Sequence, residues 1–95
     1  MFNKVAFIGL GLIGSSLARV IRAQGLAQKI VACSRSQSTL QTAVDIGLID
    51  EGFADVAQAV KEADLIVLAM PVCATQAVLA SIKDHIKSSV IITDV

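Results

Sequence analysis

The sequence has no tryptophan and no tyrosine, and it holds three phenylalanines, one proline, one histidine and two cysteines. With only three aromatic rings, and with eight basic residues matched by eight acidic ones, it lacks the basic, aromatic surface of a general nucleic-acid binder. Cys33 and Cys73 both lie in apolar stretches and do not make a disulfide scaffold, so a reducing cytoplasm is the expected compartment. One histidine and two distant cysteines are too few for a zinc site, and no metal is expected. His85 sits among Lys83, Asp84 and Lys87 and reads as a solvated residue near a helix end rather than a catalytic base. No unbroken apolar run exceeds ten residues, about half of what a bilayer span needs. The N-terminus, with Lys4, an apolar run and small residues, has the outline of a signal peptide. A lone lysine is a thin charged region, however, and the glycines inside that run have another explanation.

What is present is apolar and asymmetric. Ninety-five residues with 55% hydrophobic side chains make one domain at most. The net charge is zero, but it divides unevenly along the chain. Residues 1–44 carry Lys4, Arg19, Arg22, Lys29 and Arg35 with no acid, whereas residues 45–95 carry eight acids against three lysines. A positive first half suits an anionic ligand.

Short apolar runs alternate with helical patterns, which indicates β/α units around a parallel sheet. Residues 4–10 form a near-continuous apolar run, as expected of a central strand covered on both faces. A helix is expected over 12–24, with Ile13, Leu17, Val20 and Ile21 on its inner face, Arg19 and Arg22 facing outward, and Gly25 ending it. Residues 29–33 give the second strand. Ser36 or Ser38 caps the next helix, whose apolar stripe is Leu40, Ala43 and Val44 and which Gly47 stops. Glu51–Phe53 is a weak edge strand, and Asp55 caps a short helix running through residue 62. Residues 64–69 form another central strand, and Pro71 turns the chain into a helix with Thr75, Val78, Leu79, Ile82 and Ile86 on one face. Residues 90–93 are the last strand, followed by Asp94.

The stretch Gly9-Leu10-Gly11-Leu12-Ile13-Gly14 follows a strand and opens a helix. The hexapeptide alone is a weak signal, but within a β-α-β unit it has the mechanics of a dinucleotide site. Gly9 allows the tight turn, Gly11 lets the backbone approach a pyrophosphate, and Gly14 lets the helix pack closely on the sheet. The amides of the first turn, including those of Leu12 and Ile13, then face the phosphates with the positive end of the helix dipole. The expected fold is α/β, a Rossmann-type doubly wound parallel sheet of about five strands with helices on both faces.

At the end of the second strand a domain that binds NAD usually offers a carboxylate to the ribose 2′-hydroxyl. Here the residues are Ser34, Arg35 and Ser36, and no acid follows until Asp45. Two hydroxyls and a guanidinium can bind a 2′-phosphate that a carboxylate would repel. NADP is therefore expected over NAD.

These motifs also carry a family resemblance. The run from Gly9 through Gly14-Ser15-Ser16-Leu17-Ala18, the run Ser34-Arg35-Ser36-Gln37-Ser38-Thr39, the stretch from Ala63 and Asp64 to Ala69-Met70-Pro71-Val72, and the closing Ile91-Ile92-Thr93-Asp94-Val95 together resemble the prephenate/arogenate dehydrogenases of tyrosine biosynthesis. The resemblance covers essentially the whole chain. It implies a cytoplasmic enzyme that oxidatively decarboxylates prephenate or arogenate with hydride transfer to a nicotinamide. By position, Met70, Pro71 and Val72 would line the cofactor cleft, Thr75 would lie near the nicotinamide, and Thr39 would assist at the 2′-phosphate. Asp94 would sit where ligands gather at the sheet's carboxyl edge.

In such enzymes a later histidine and a helical C-terminal domain supply catalysis, much of the substrate site and the homodimer interface. Residues 1–95 are accordingly expected to be an incomplete dinucleotide-binding domain without catalytic residues of its own. A nucleotide-sensing module without catalysis, or a dehydrogenase acting on a 3-hydroxyacid or a pyrroline carboxylate, would share the glycine fingerprint.

Overall fold

The computed structural model describes residues 2–69, 80, 82–86 and 90–94. Five strands, β1 (Phe2–Ile8), β2 (Ala27–Cys33), β3 (Glu51–Phe53), β4 (Leu65–Leu68) and β5 (Ile91–Asp94), form one sheet in the order β3-β2-β1-β4-β5. Every pairing is parallel. Helices α1 (Leu12–Ala23), α2 (Gln37–Asp45) and α3 (Val56–Val60) fill the crossovers after β1, β2 and β3. The strand order reverses at β1, between neighbours β2 and β4, which is where a doubly wound sheet opens a crevice at its carboxyl edge.

Alternation along the central strands sends side chains to two separate cores. Val5, Phe7, Ile30, Ala32 and Val67 face α1 and α2, where they meet Ala18, Ile21, Leu40 and Ala43. Ala6, Ile8, Val31, Cys33, Ile66 and Leu68 face the other side, against Ala59, Val60, Ala63 and Ile82. Both faces are covered, which is why these strands read as continuous apolar runs rather than alternating ones. Each fully buried Phe7 or Ile66 contributes about 1.5–3 kcal/mol relative to exposure. The termini of the strands are pinned by side chains as well. Asp64 Oδ2 accepts from the amides of Asn3 and Lys4, and Asp50 Oδ2 accepts from Ile30 N at 2.8 Å.

The elements lie where the pattern puts them, with shifted bounds: β1 and β2 begin two residues earlier than expected, β1 stops at Ile8, and α3 ends at Val60 instead of reaching residue 62. Two inner-face assignments are corrected. Val20 is 53% exposed and Val44 36% exposed. In α1 the buried line runs through Gly14, Ala18 and Ile21, because the helix sits so close to the sheet that small residues occupy the contact. Val20 is turned off that line. The side chain of Ile13 falls outside the described set, as do Thr75, Val78 and Leu79 of the expected fourth helix, while Ile82 is buried and Ile86 partly so.

Candidate functional site

The carboxyl ends of β1, β2 and β4 are tied into one edge by their last ladder bonds. Gly9 N donates to Cys33 O at 2.8 Å, Ala69 N to Ile8 O at 2.9 Å, and Ser34 N to Phe53 O at 3.2 Å. The residues that follow these strands, the glycine loop, Ser34 to Ser36 and Ala69, are thereby brought together from segments up to sixty residues apart.

Each glycine of the loop has a different duty. Gly9 has φ of 80°, a left-handed conformation that suits glycine and turns the chain off the strand. A Cβ on Gly14 would lie 3.0 Å from the Ala69 Cβ, 3.6 Å from Gly9 O and 3.9 Å from the Phe7 ring. The close packing expected of Gly14 is thus directed first at the residue after β4. A Cβ on Gly11 would meet nothing within 4 Å. That open space above the start of α1 is where a phosphate group can approach the backbone.

Gly11 is also the N-cap of α1, with no side chain to satisfy the first-turn amides, so those of Leu12 and Ile13 are available to an anion. Two contacts fix the loop. Leu10 is buried at 3% exposure in the α1/α2 core, and Ser15 Oγ donates to Leu10 O at 3.1 Å. Leu10, Ser15 and Ala69 were not singled out from the sequence as site residues. The only signal for Ser15 was its hydroxyl one position after the last glycine.

The loop after β2 is built from side chains. Ser34 Oγ accepts from Ser36 N at 3.1 Å. Ser36 caps α2, its Oγ accepting from Thr39 N at 3.3 Å and from Thr39 Oγ1 at 2.9 Å, with Ser38 Oγ 3.1 Å away. Arg35 is exposed and has no ion pair or hydrogen bond among the described residues. No carboxylate stands in this loop. Beneath it, the Cys33 thiol is buried and donates to Ala54 O at 3.7 Å. Burial pushes its pKa up, and the Asp55 carboxylate adds to the shift. The groups present suit a dinucleotide: backbone amides and open space for its phosphates, and a cation with hydroxyls for an anionic ribose.

Met70, Pro71, Val72 and Thr75 lie outside the described residues, as does Cys73. His85 is exposed in the turn after Ile82. Among the described residues no cluster could hold a metal ion, and no helix is long and apolar enough to cross a membrane.

Comparison with known proteins agrees with this geometry. Residues 17–95 match the family model described as prephenate dehydrogenase, nucleotide-binding domain. A cyclohexadienyl dehydrogenase of Zymomonas mobilis is 38% identical over 94 residues, covering 99% of this chain and 32% of that protein. A prephenate dehydrogenase of Bacillus subtilis is 31% identical over 96 residues, covering all of this chain and 26% of its own length. Among solved structures, prephenate dehydrogenase from A. aeolicus in complex with hydroxyphenyl propionate and NAD+ superposes with a TM-score of 0.89 at 25% identity, over 99% of this chain and 33% of that one. Synechocystis arogenate dehydrogenase gives 0.87 at 36% identity, over 97% and 32%. The chain spans about a third or less of the length of these relatives. The family match begins after the glycine loop, so the loop's geometry and the matched remainder are separate observations pointing the same way, and the chain belongs to the prephenate dehydrogenase nucleotide-binding domain family.

Proposed function

We propose that this chain is the cofactor-binding part of a cytoplasmic dehydrogenase that oxidatively decarboxylates prephenate or arogenate, and that it takes NADP in preference to NAD. The relatives named as prephenate, cyclohexadienyl and arogenate dehydrogenases support the activity, and the A. aeolicus complex with NAD+ supports a nicotinamide dinucleotide as the cofactor class. When bound, that cofactor supplies the acceptor for a hydride from the substrate ring. Gly9, Gly11 and the amides of Leu12 and Ile13 hold its pyrophosphate, and Gly14 keeps α1 close enough to aim those amides. Ser34, Arg35, Ser36 and Thr39 are assigned to the ribose end of the site, Met70, Pro71 and Val72 to the cofactor cleft, and Thr75 to its nicotinamide side. The catalytic base, the substrate pocket and the homodimer contacts are assigned to the part of the relatives' length that these residues do not span, so the chain alone binds cofactor without turnover.

The observation that carries the NADP preference is the β2 end, where hydroxyls and a guanidinium with no partner among the described residues stand in place of a carboxylate. Titration of the protein with each dinucleotide tests it. NADP should bind at least tenfold more tightly than NAD. Arg35→Ala should cost NADP about 1.5–3 kcal/mol, roughly tenfold to a hundredfold in affinity, with NAD unchanged. Equal weakening of both dinucleotides would reject the assignment of Arg35 to the 2′-phosphate.

A further inference from the structure

Two outward-facing arginines of α1 have different fates in the fold. Arg22 is engaged: its Nη2 lies 3.3 Å from Asp50 Oδ2 and 3.4 Å from Leu48 O. Arg19, almost one turn earlier, has no partner among the described residues. It lines a shallow cavity of about 290 Å³ between α1 and α2, together with Ser15, Ser38, Thr39 and Thr42. Ser15 and Arg19 are four residues apart on α1, and Ser38 and Thr42 are four apart on α2, so each pair stacks on one helix face. Both pairs line the same cavity, whose apolar lining is Leu10, Ala43, Ile46 and Leu48, and among the described residues no carboxylate lines it. Arg19 also lines a second cavity, with Arg22, Ala23 and Gly47, so it stands between the two, within reach of the hydroxyls of the first.

The hydroxyl network decides which groups can donate into this space. A hydroxyl has one hydrogen and two acceptor lone pairs. Ser36 Oγ accepts from both Thr39 N and Thr39 Oγ1, which fills its lone pairs. Its hydrogen therefore goes to Ser38 Oγ, 3.1 Å away. Thr39 has already given its hydrogen to Ser36. The chain of donation runs from Thr39 through Ser36 to Ser38, and leaves the Ser38 O–H at the cavity without an acceptor among the described residues. Thr42 has no side-chain partner among the described residues either. Two hydroxyl donors face one uncommitted guanidinium, an arrangement suited to a phosphate monoester.

We propose that this groove is a phosphate-monoester subsite in which Arg19, Ser38 and Thr42 act as ligands, and that the 2′-phosphate of the dinucleotide is the phosphate it holds. The proposal deepens the NADP reading and rests on it for the identity of the ligand. It makes Arg19 a specificity-determining residue in addition to Arg35, and it gives Thr39, at the ribose end of the site, the further task of orienting Ser36.

The test is titration of the protein and its Arg19→Gln, Arg22→Gln and Ser38→Ala variants with NADP and with NAD, followed by amide shifts of Ser38 and Thr42 on addition of inorganic phosphate. Arg19→Gln should weaken NADP about tenfold and leave NAD within about twofold, since one charge-assisted contact is removed from the 2′-phosphate alone. Ser38→Ala should act in the same direction and less. Arg22→Gln should leave the ratio of the two affinities unchanged. If Arg19→Gln alters neither dinucleotide, or weakens both alike, the subsite as a receiver of the 2′-phosphate is overturned. A wild-type protein that fails to prefer NADP defeats the cofactor reading instead. In that event, phosphate-induced shifts that vanish in Arg19→Gln would keep the groove as a phosphate site for another carrier, and their absence would overturn it.

Discussion

The loops after β1 and β2 leave the same edge of the sheet, joined by the bond from Gly9 N to Cys33 O, yet they are made of different material. The first is backbone: a left-handed glycine, an open glycine and a helix start without a side-chain cap. The second is side chain: a hydroxyl relay that caps α2 and a guanidinium with no partner among the described residues. A backbone surface suits the phosphates that all dinucleotides share, because every amide offers the same donor. Side chains can read what differs between two dinucleotides, since they alone vary in charge. On the proposed reading the first loop supplies affinity and the second selectivity, one strand spacing apart.

The sharpest way to break this division is to add one methyl to each of two glycines in the first loop. In Gly14→Ala the new Cβ would lie 3.0 Å from the Ala69 Cβ, and Ala69 cannot easily retreat because its amide is bonded to Ile8 O. Such overpacking should lower stability by about 1–3 kcal/mol, seen as a lower denaturant midpoint. Gly11→Ala places its methyl where nothing lies within 4 Å, so the stability loss should be smaller than in Gly14→Ala, up to about 1 kcal/mol from alanine's poorer fit at the N-cap. Binding of NAD and NADP should fall about tenfold or more alike, because the methyl occupies the approach to the amides. A Gly11→Ala protein that binds both dinucleotides normally would contradict the role given to the first loop.

In the second loop the corresponding change is Ser36→Ala. It removes the acceptor for Thr39 N, and loss of an N-cap costs about 1 kcal/mol. Thermal or chemical denaturation should show that loss. The ratio of NADP to NAD affinity should change less than in Arg35→Ala, since Ser36 acts mainly by holding its neighbours. A larger change in the ratio than in stability would move Ser36 from cap to ligand.

The two loops also differ in how far the sequence alone reveals them. The glycine loop is legible because the turn at Gly9 and the helix start at Gly11 are local requirements; the neighbour that requires Gly14, Ala69, lies 55 residues away and was not legible. The β2 end was legible in composition but not in connectivity. The cap at Ser36 was legible, but nothing in Ser34-Arg35-Ser36 reveals that the Thr39 hydroxyl also donates to Ser36, or that Arg19 shares a cavity with Ser38. Likewise Arg22 looked solvated because its partner Asp50 is 28 residues away. Large apolar residues at helical spacing misplaced Val20 and Val44, whereas Gly14 and Ala18 mark the true contact line of α1. A helix that packs very closely announces itself by small residues, and a search for bulk overlooks them.

The smallest expected effect concerns what holds the second loop from beneath. Cys33, the last residue of β2, donates its thiol hydrogen to Ala54 O, at the end of β3. Burial raises its pKa above the ordinary thiol value, so in alkaline solution the native state retains a proton that the unfolded chain releases. The stabilising contribution is therefore complete below the unfolded thiol value, about 8.5, and is lost as pH rises through the higher native value. Lys4 acts with the opposite sign. Burial lowers the pKa of its ammonium, so the native state sheds that proton first and gains stability over the window below the ordinary lysine value. The net slope of the wild type mixes these two effects, and only a difference between proteins isolates the thiol. Urea midpoints measured at pH 7 and pH 10 should fall further for the wild type than for Cys33→Ala, whose packing loss is the same at both pH values. Parallel slopes would mean that the thiol proton is not held by the fold, and that the second loop has no support from Cys33 that depends on pH.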